Sequence, residues 1–492
     1  MRSSKNFIAL DLGANSGRAV LGKLKDDLLE TEEIHRFSND PVKILGTIHW
    51  DVLMIFREVK RALKKHGSSR RCELSSIGMD TWGVDFGLLD GKGRLIENPV
   101  HYRDGRTEGM LDQALQTFSW EEIFRNTGIQ FMEFNTLYQL LALKDRDPDQ
   151  LRRAEDLLMM AGLLGYFLTG EKSEEFTLAT TTQLYNPVKD RWSEKLFDLF
   201  DLPIDIMPKV ERTGAKIGEV RSDVYTETGT NKVPVIATTS HDTASAVSGI
   251  PAEGSGWAFI SSGTWSLMGK EIDRPLINRE VMKANFTNEG CYNGRFTLHK
   301  NLTGLWIIQE CKREWAEKGR DYSYDEIARM AQEAEPFVSL IDTQADPFAR
   351  PGKMTEKIRD FCRETDQNLP EGPSEIARTV LEGLALNYRL TLEQLEEVTR
   401  EKISKIYIVG GGVKNELLSR FCANATGVPV ITGPVEATAT GNVLNQAIAR
   451  GALGSVEEAR RVVRNSFELK EFAPTNTGGW ELTYQEFSEI KN

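Results

Sequence analysis

The 492-residue chain is expected to fold as an α/β protein of two domains, and three observations carry that expectation. Its length exceeds what one ordinary hydrophobic core organises. Strand-like apolar runs alternate with helical periodicity through the first half and again over residues 405–431. Two stretches also look like one device used twice: residues 7–22, FIALDLGANSGRAVLG, and residues 257–270, WAFISSGTWSLMGK. In each, an apolar run enters a turn of glycines and small hydroxyl or amide side chains, and a second apolar run leaves it. Gly13 aligns with Gly263 and Ser16 with Ser266. Such a turn offers backbone N–H groups and hydroxyls to an anion with no bulky side chain in the way. One copy near the start of each half predicts two domains gripping the phosphates of one nucleotide from both sides.

The elements follow in order. After the first hairpin, residues 50–65 have helical periodicity, residues 76–79 form a short strand, and residues 86–96 form a hairpin about the DGKG turn at 90–93. Residues 107–170 read mostly as amphipathic helices, in SWEEIFRNTG, LYQLLALKDRD and AEDLLMMAGLLGYFLTG. Residues 232–238 form a buried strand that leads into Ser240, His241 and Asp242 at a helix start. The turn-rich segment 249–256 is the expected boundary between an N-terminal domain over 1–248 and a C-terminal domain over 256–450, with 451–492 as a helical extension. In the second half the repeated hairpin precedes a long helix over 373–400. A strand at 405–409, a loop at Gly410, Gly411 and Gly412, a helix at 415–425 and a strand at 428–431 make a βαβ unit, and 441–450 is the last helix.

Composition narrows the function classes. Hydrophobic residues at 40% and charged residues at 27% are those of a globular protein. A net charge of −12 argues against nucleic acid or an anionic membrane as a general partner, so a bound nucleotide must be held by local N–H groups and metal. No apolar run is long enough to span a bilayer. Behind Arg2 and Lys5 the first apolar run is cut by Asp11, so no signal peptide is expected and the compartment is expected to be the cytoplasm. Cys72, Cys291, Cys311, Cys362 and Cys422 are scattered with no CxxC pair, which predicts neither disulfides nor a zinc site.

The candidate chemistry sits at strand ends and turns. Asp11 closes the first strand beside Ala14, Asn15, Ser16, Gly17 and Arg18; a carboxylate beside a phosphate cradle suits a bridging Mg²⁺, held by Asp11 through water. Asp242 opens a helix, where it can be an N-cap or a general base kept ionised by the helix N-terminus. Ser240, His241 and Asp242 are consecutive, so they cannot relay as a hydrolase triad. Gly410, Gly411 and Gly412 lie between a strand and a helix, where open α/β sheets bind ligands, and exceed what a turn needs. The segment GTWSLMGKE at 263–271 is not a P-loop: five residues separate its glycines and Glu271 follows Lys270. The loops TWGVDF at 81–86 and HYRDGR at 101–106 mix aromatic, charged and glycine residues. That mixture suits a sugar, as it also suits a half-buried strand edge. Asn301 either caps a helix or belongs to the site.

These motifs resemble the FGGY carbohydrate kinases of the sugar kinase, Hsp70 and actin superfamily. DLGANSGR at 11–18, SGT at 262–264 and the triple glycine followed by Asn415 are the general marks. DTWGVD at 80–85, YRD at 102–104 and SHDT at 240–243 are the narrower ones. The resemblance implies two ribonuclease-H-like domains with a nucleotide cleft between them, ATP and Mg²⁺ as cofactors, and L-rhamnulose, phosphorylated at C1, as acceptor, or alternatively another ketose or related polyol such as fuculose or xylulose. It implies Asp242 as proton acceptor, with Gly83, His241, Thr243 and Asn301 at the sugar. It places ATP at Ala14, Asn15, Ser16, Gly17, Arg18, Thr264, Gln309 and Gly411. Nearby cysteine pairs found in some relatives are lacking here. An actin- or Hsp70-like ATPase without sugar transfer is the alternative of a different class.

Overall fold

The computed structural model describes residues 4–69 and 73–491; Arg2 and Cys72 lie outside the described residues. The chain divides into two units, one of residues 1–250, 271–298 and 437–466, the other of 251–270, 299–436 and 467–492.

The first unit is built on a six-stranded sheet whose order is Lys216–Glu219, Pro234–Ile236, Ser76–Thr81, Lys5–Leu12, Ser16–Lys25 and Leu28–Ser38. Lys5–Leu12 is buried along almost its whole length, as a central strand covered on both faces must be. It runs antiparallel to Ser16–Lys25 and parallel to Ser76–Thr81. The amphipathic helix Val52–Ser69 buries Val52, Ile55, Val59, Ala62 and Leu63 on one stripe. The helix Ala437–Ala449 belongs to the same unit, and its Gln446 Nε2 donates to Ile8 O at 2.9 Å.

The second unit repeats the plan. Trp257–Ser262 is antiparallel to Trp265–Ile272 and parallel to Lys405–Val409, which is parallel to Val430–Thr432. Phe296–Thr303 lies beside Trp265–Ile272. In both sheets the strand that enters the phosphate-type turn is flanked on one side by the antiparallel strand that leaves it and on the other by a parallel strand. The helix Pro373–Thr399 starts on a proline at its first turn, where the missing N–H is not needed, and Asn415 caps Glu416–Thr426 through Leu418 N.

Two expected elements differ. Residues 156–159 form a strand, Asp156–Met159, not the start of a helix; the helix begins at Met160. The strand Phe86–Leu89 takes Asp156–Met159 as its antiparallel partner, and the expected hairpin return survives as one bridge, Leu89 to Leu95, around the turn at Asp90. The distant partner, buried on both faces, overrides the local pattern. Cys291, Cys311, Cys362 and Cys422 are buried and free. Among the described residues, no helix is long and apolar enough to cross a membrane.

Candidate active site

In the first unit, two strand ends and a helix start bring three aspartates into one electrostatic field. Asp11 lies in Lys5–Leu12, opposite Arg18 across the hairpin and beside Asp80 across the parallel pair. Arg18 donates to Asp11 Oδ2 from Nε at 2.8 Å and from Nη2 at 2.6 Å. Arg18 thus has a partner within the hairpin, which the turn's sequence alone does not disclose. The turn itself is tied down by Gly13 N donating to Ser16 O (3.0 Å) and by Asn39, whose amide donates to Gly13 O (3.0 Å). Asn15 is exposed, and Ala14 and Ser16 are half-buried. A Cβ on Gly17 would fall 2.2 Å from Phe37 Cζ, so this glycine is required by packing.

Thr81 N donates to Ser240 O at 2.8 Å, which carries the end of the strand Ser76–Thr81 to His241 and Asp242. His241 is the N-cap residue and Asp242 the first residue of the helix Asp242–Ser248, so the expected N-cap role does not fall to Asp242. His241 Nδ1 meets Glu289 Oε2 at 3.1 Å and its Nε2 meets Asp242 Oδ1 at 3.3 Å. His241 N donates to Thr177 Oγ1 (3.0 Å), and Thr243 Oγ1 donates to Asp242 Oδ1 (3.2 Å). Glu175 braces this junction by accepting from Ser240 N (3.1 Å) and Thr213 Oγ1 (2.6 Å).

Electrostatics give each group a direction. Asp242, whose side chain is 33% exposed, has a raised pKa: burial raises it, His241 opposes, and Asp11 adds to the rise. Burial works against a charge on His241, yet Glu289, Asp242 and Glu175 outweigh it and the imidazole pKa is raised. Asp80 is fully buried and held well above the usual carboxylate range by burial, then by Asp11, with Asn442 opposing and Asp242 adding.

The aromatic loops serve an internal purpose. Asp85 Oδ2 accepts from Trp50 Nε1 (2.6 Å), Trp82 Nε1 (2.9 Å) and Tyr102 N (3.2 Å), while Oδ1 accepts from Gln139 Nε2 (2.9 Å). Burial pushes Asp85 up to about 6, against those donors. Trp50 lies 4.1 Å from both Trp82 and His101 between ring centroids. His101 Nδ1 accepts from Arg103 N at 2.9 Å; burial, then Arg103, pulls its pKa down to about 4, so the ring is neutral. Asp104 bonds Ile48 N (2.8 Å) and Arg106 N (2.9 Å), and Arg106 bonds Gln139 Oε1 (2.6 Å). Trp82 is thus an anchor of this cluster, and the charges of 104–106 are engaged within the fold. Gly83 follows in a tight loop where a Cβ would meet Thr181 Oγ1 at 3.0 Å. Val84 has a positive φ of 67°, a costly state for a β-branched residue, held by Thr136 Oγ1 donating to Val84 O at 2.7 Å.

In the second unit, Thr264 Oγ1 donates to Gln309 Oε1 at 3.2 Å, so two expected nucleotide residues meet. Thr264 O also accepts from Gly304 N and Trp306 N, fixing the turn on the start of the helix Trp306–Glu317. Asn301 lies within the strand Phe296–Thr303 and does not cap a helix; the N-cap position of the helix that follows is Leu305, with no side-chain cap hydrogen bond. The triple glycine resolves into three different needs. Gly410 has φ 86°, a Cβ on Gly412 would lie 2.0 Å from Ser262 Oγ, and Gly411 has nothing within 4 Å. Packing therefore explains Gly410 and Gly412, and Gly411 alone remains open to a ligand.

Asp80, Asp85, Glu175 and Glu289 were not singled out from the sequence. DTWGVD contains the two aspartates, but the pattern does not say which neighbouring strand or indole each side chain meets.

Residues 6–249 match the N-terminal domain of the FGGY family of carbohydrate kinases and residues 258–450 its C-terminal domain. A rhamnulokinase of Bacteroides thetaiotaomicron is 41% identical over 98% of this chain and 99% of its own, and one of Oceanobacillus iheyensis is 38% identical over 96% and 99%. The fold is that of a ligand-bound xylulose kinase from Lactobacillus acidophilus, with a TM-score of 0.84 and 18% identity over 99% of this chain and 98% of that one. Plasmodium falciparum glycerol kinase with ADP superposes with a TM-score of 0.80 at 15% identity over 99% and 97%. The chain belongs to the FGGY family of carbohydrate kinases.

Proposed function

We propose that the chain transfers the γ-phosphoryl group of ATP to the C1 hydroxyl of L-rhamnulose. The observation that carries this reading is Asp242, a partly exposed carboxylate at a helix start, oriented by Thr243 and His241 and set in one electrostatic field with Asp11 and Asp80. The rhamnulokinases at 41% and 38% identity support the choice of sugar. The FGGY membership sets aside an ATPase with only a conformational output.

Phosphoryl transfer needs alignment, charge neutralisation and a base at the acceptor more than covalent help. Asp242 accepts the proton of the C1 hydroxyl as the oxygen attacks phosphorus. His241, fixed by Glu289, and Thr243 hold Asp242 in place, and His241, Thr243 and Gly83 are the sugar contacts of the first unit, with Asn301 assigned the same role in the second. The turn at Ala14, Asn15, Ser16, Gly17 and Arg18 binds phosphate, as does Thr264 with Gln309, and Gly411 takes the adenosine end. Asp11 would hold a Mg²⁺ bound to the ATP phosphates, through water, and the ion would supply charge neutralisation. The donor set fits that use: no cluster of three ligating side chains exists among the described residues, and Asp11 commits Oδ2 to Arg18. Mg²⁺ carried by phosphates asks for only one or two carboxylates.

The test is an ADP-release assay over a panel of ketoses, with the product mapped by NMR. L-Rhamnulose should give the highest kcat/KM and a phosphate on C1. Faster turnover of fuculose or xylulose, or ADP release that does not need sugar, would refute the assignment.

A further inference from the structure

We propose that Asp80 is a second carboxylate for the divalent cation of the nucleotide, set beside Asp11 and aimed by Asn442. The inference rests on the kinase reading above. Asp11 and Asp80 are register partners in adjacent parallel strands, which puts their side chains on the same side of the sheet. Asp80 is 0% exposed. Its Oδ2 accepts from Asn442 Nδ2 at 2.5 Å, and its Oδ1 has no hydrogen-bond partner.

The surroundings fix Asp80 in this position. Asn442 is itself oriented, since its Oδ1 accepts from Gln446 Nε2 at 2.8 Å. Gln446 in turn donates to Ile8 O (2.9 Å) and accepts from Ser76 Oγ (2.8 Å). Gly78 leaves room for both amides: a Cβ there would lie 2.4 Å from Asn442 Oδ1 and 2.7 Å from Gln446 Nε2. Every polar group along this row has a partner until Asp80 Oδ1. An unpartnered buried acceptor is costly, and a cation bound there removes that cost.

Charge balance points the same way. Asp11, Asp80 and Asp242 influence one another, while Arg18 is the cation in contact with Asp11 and His241 is engaged by Glu289. A divalent ion on Asp11 and Asp80 offsets the remaining negative charge. Two protein carboxylates, with phosphates and water completing the octahedron, form a donor set that suits Mg²⁺.

The experiment measures Mn²⁺ binding to the full-length protein with saturating ADP, by the EPR signal of free Mn²⁺. Asp80→Asn should weaken Mn²⁺ about tenfold or more, the range seen when groups around a metal are removed. ADP affinity measured without metal should be unchanged, and the thermal midpoint kept, because asparagine has the same shape and retains the oxygen that accepts from Asn442. Asn442→Ala, which leaves Asp80 in place but unaimed, should weaken Mn²⁺ in the same direction. A folded Asp80→Asn variant that binds Mn²⁺ as tightly as the wild type overturns the inference. If that variant does not fold, unchanged Mn²⁺ affinity in Asn442→Ala does so instead. Sugar turnover plays no part in this readout, so a different preferred ketose would sink the functional reading and leave this one standing.

Discussion

Asp242 can take a proton only while it is ionised, and its neighbours set the pH at which that holds. Burial and Asp11 raise its pKa while His241 lowers it. A raised carboxylate pKa means that the base is lost as pH falls through a value above the usual carboxylate range, and is fully available above it. The kcat/KM profile should therefore show an acid limb displaced upward, and His241→Ala should displace it further by removing the opposing charge. A limb that stays put in that variant would rule out the coupling. Asp242→Asn should lower kcat by about 10²–10⁴-fold, the usual contribution of a general base, with ATP affinity preserved. Residue type and position in a turn were enough to mark Asp11 and Asp242 in the sequence. Asp80 and Asp85 escaped because their roles depend on partners far along the chain, Asn442 for one and Trp50 with Gln139 for the other. The choice left open for the Trp82 loop has the same cause: that its indole N–H is engaged by Asp85 does not show in the pattern.

Turns and their glycines show how much an element's sequence can disclose. Both hairpins, the long helix and the strand–glycine–helix passage at 405–426 followed from periodicity and turn chemistry. The strand Asp156–Met159 did not, because an apolar run leading into a helix has no period of its own and only its pairing with Phe86–Leu89 makes it a strand. The triple glycine was visible, but its division of labour was not. Gly412→Ala would drive a Cβ to 2.0 Å from Ser262 Oγ, and overpacking of this kind costs about 1–3 kcal/mol. Gly411→Ala meets nothing within 4 Å. Thermal unfolding should thus separate them: Gly412→Ala lowers the midpoint, whereas Gly411→Ala keeps it and raises the KM for ATP. Equal midpoints, or an unchanged KM in Gly411→Ala, would contradict this account.

The chain leaves its first unit and returns to it twice, so neither unit is a continuous half. The last return brings the helix Ala437–Ala449, from the region that matches the C-terminal family domain, onto strands from the N-terminal one. Its contacts are close and specific. A Cβ on Gly441 would sit 1.8 Å from Ser245 O, and one on Gly22 would sit 2.5 Å from Val443 Cγ1. Asn442, Asn445 and Gln446 bond to Asp80, Thr239 and Ile8. Each such bond is worth about 1 kcal/mol net, and burying a side chain such as Val443 or Leu444 adds about 1.5–3 kcal/mol. Together they rival the roughly 5–15 kcal/mol by which a folded domain exceeds its unfolded state. Residues 1–250, although they contain the whole N-terminal family match, should therefore fail to fold by themselves. Expressed alone, they should show no cooperative thermal transition and rapid proteolysis along their length, while the full chain unfolds cooperatively. A sharp transition in the fragment within a few degrees of the full chain would show that the returning helix is dispensable, and that the polar row ending at Asp80 is held by the strands alone.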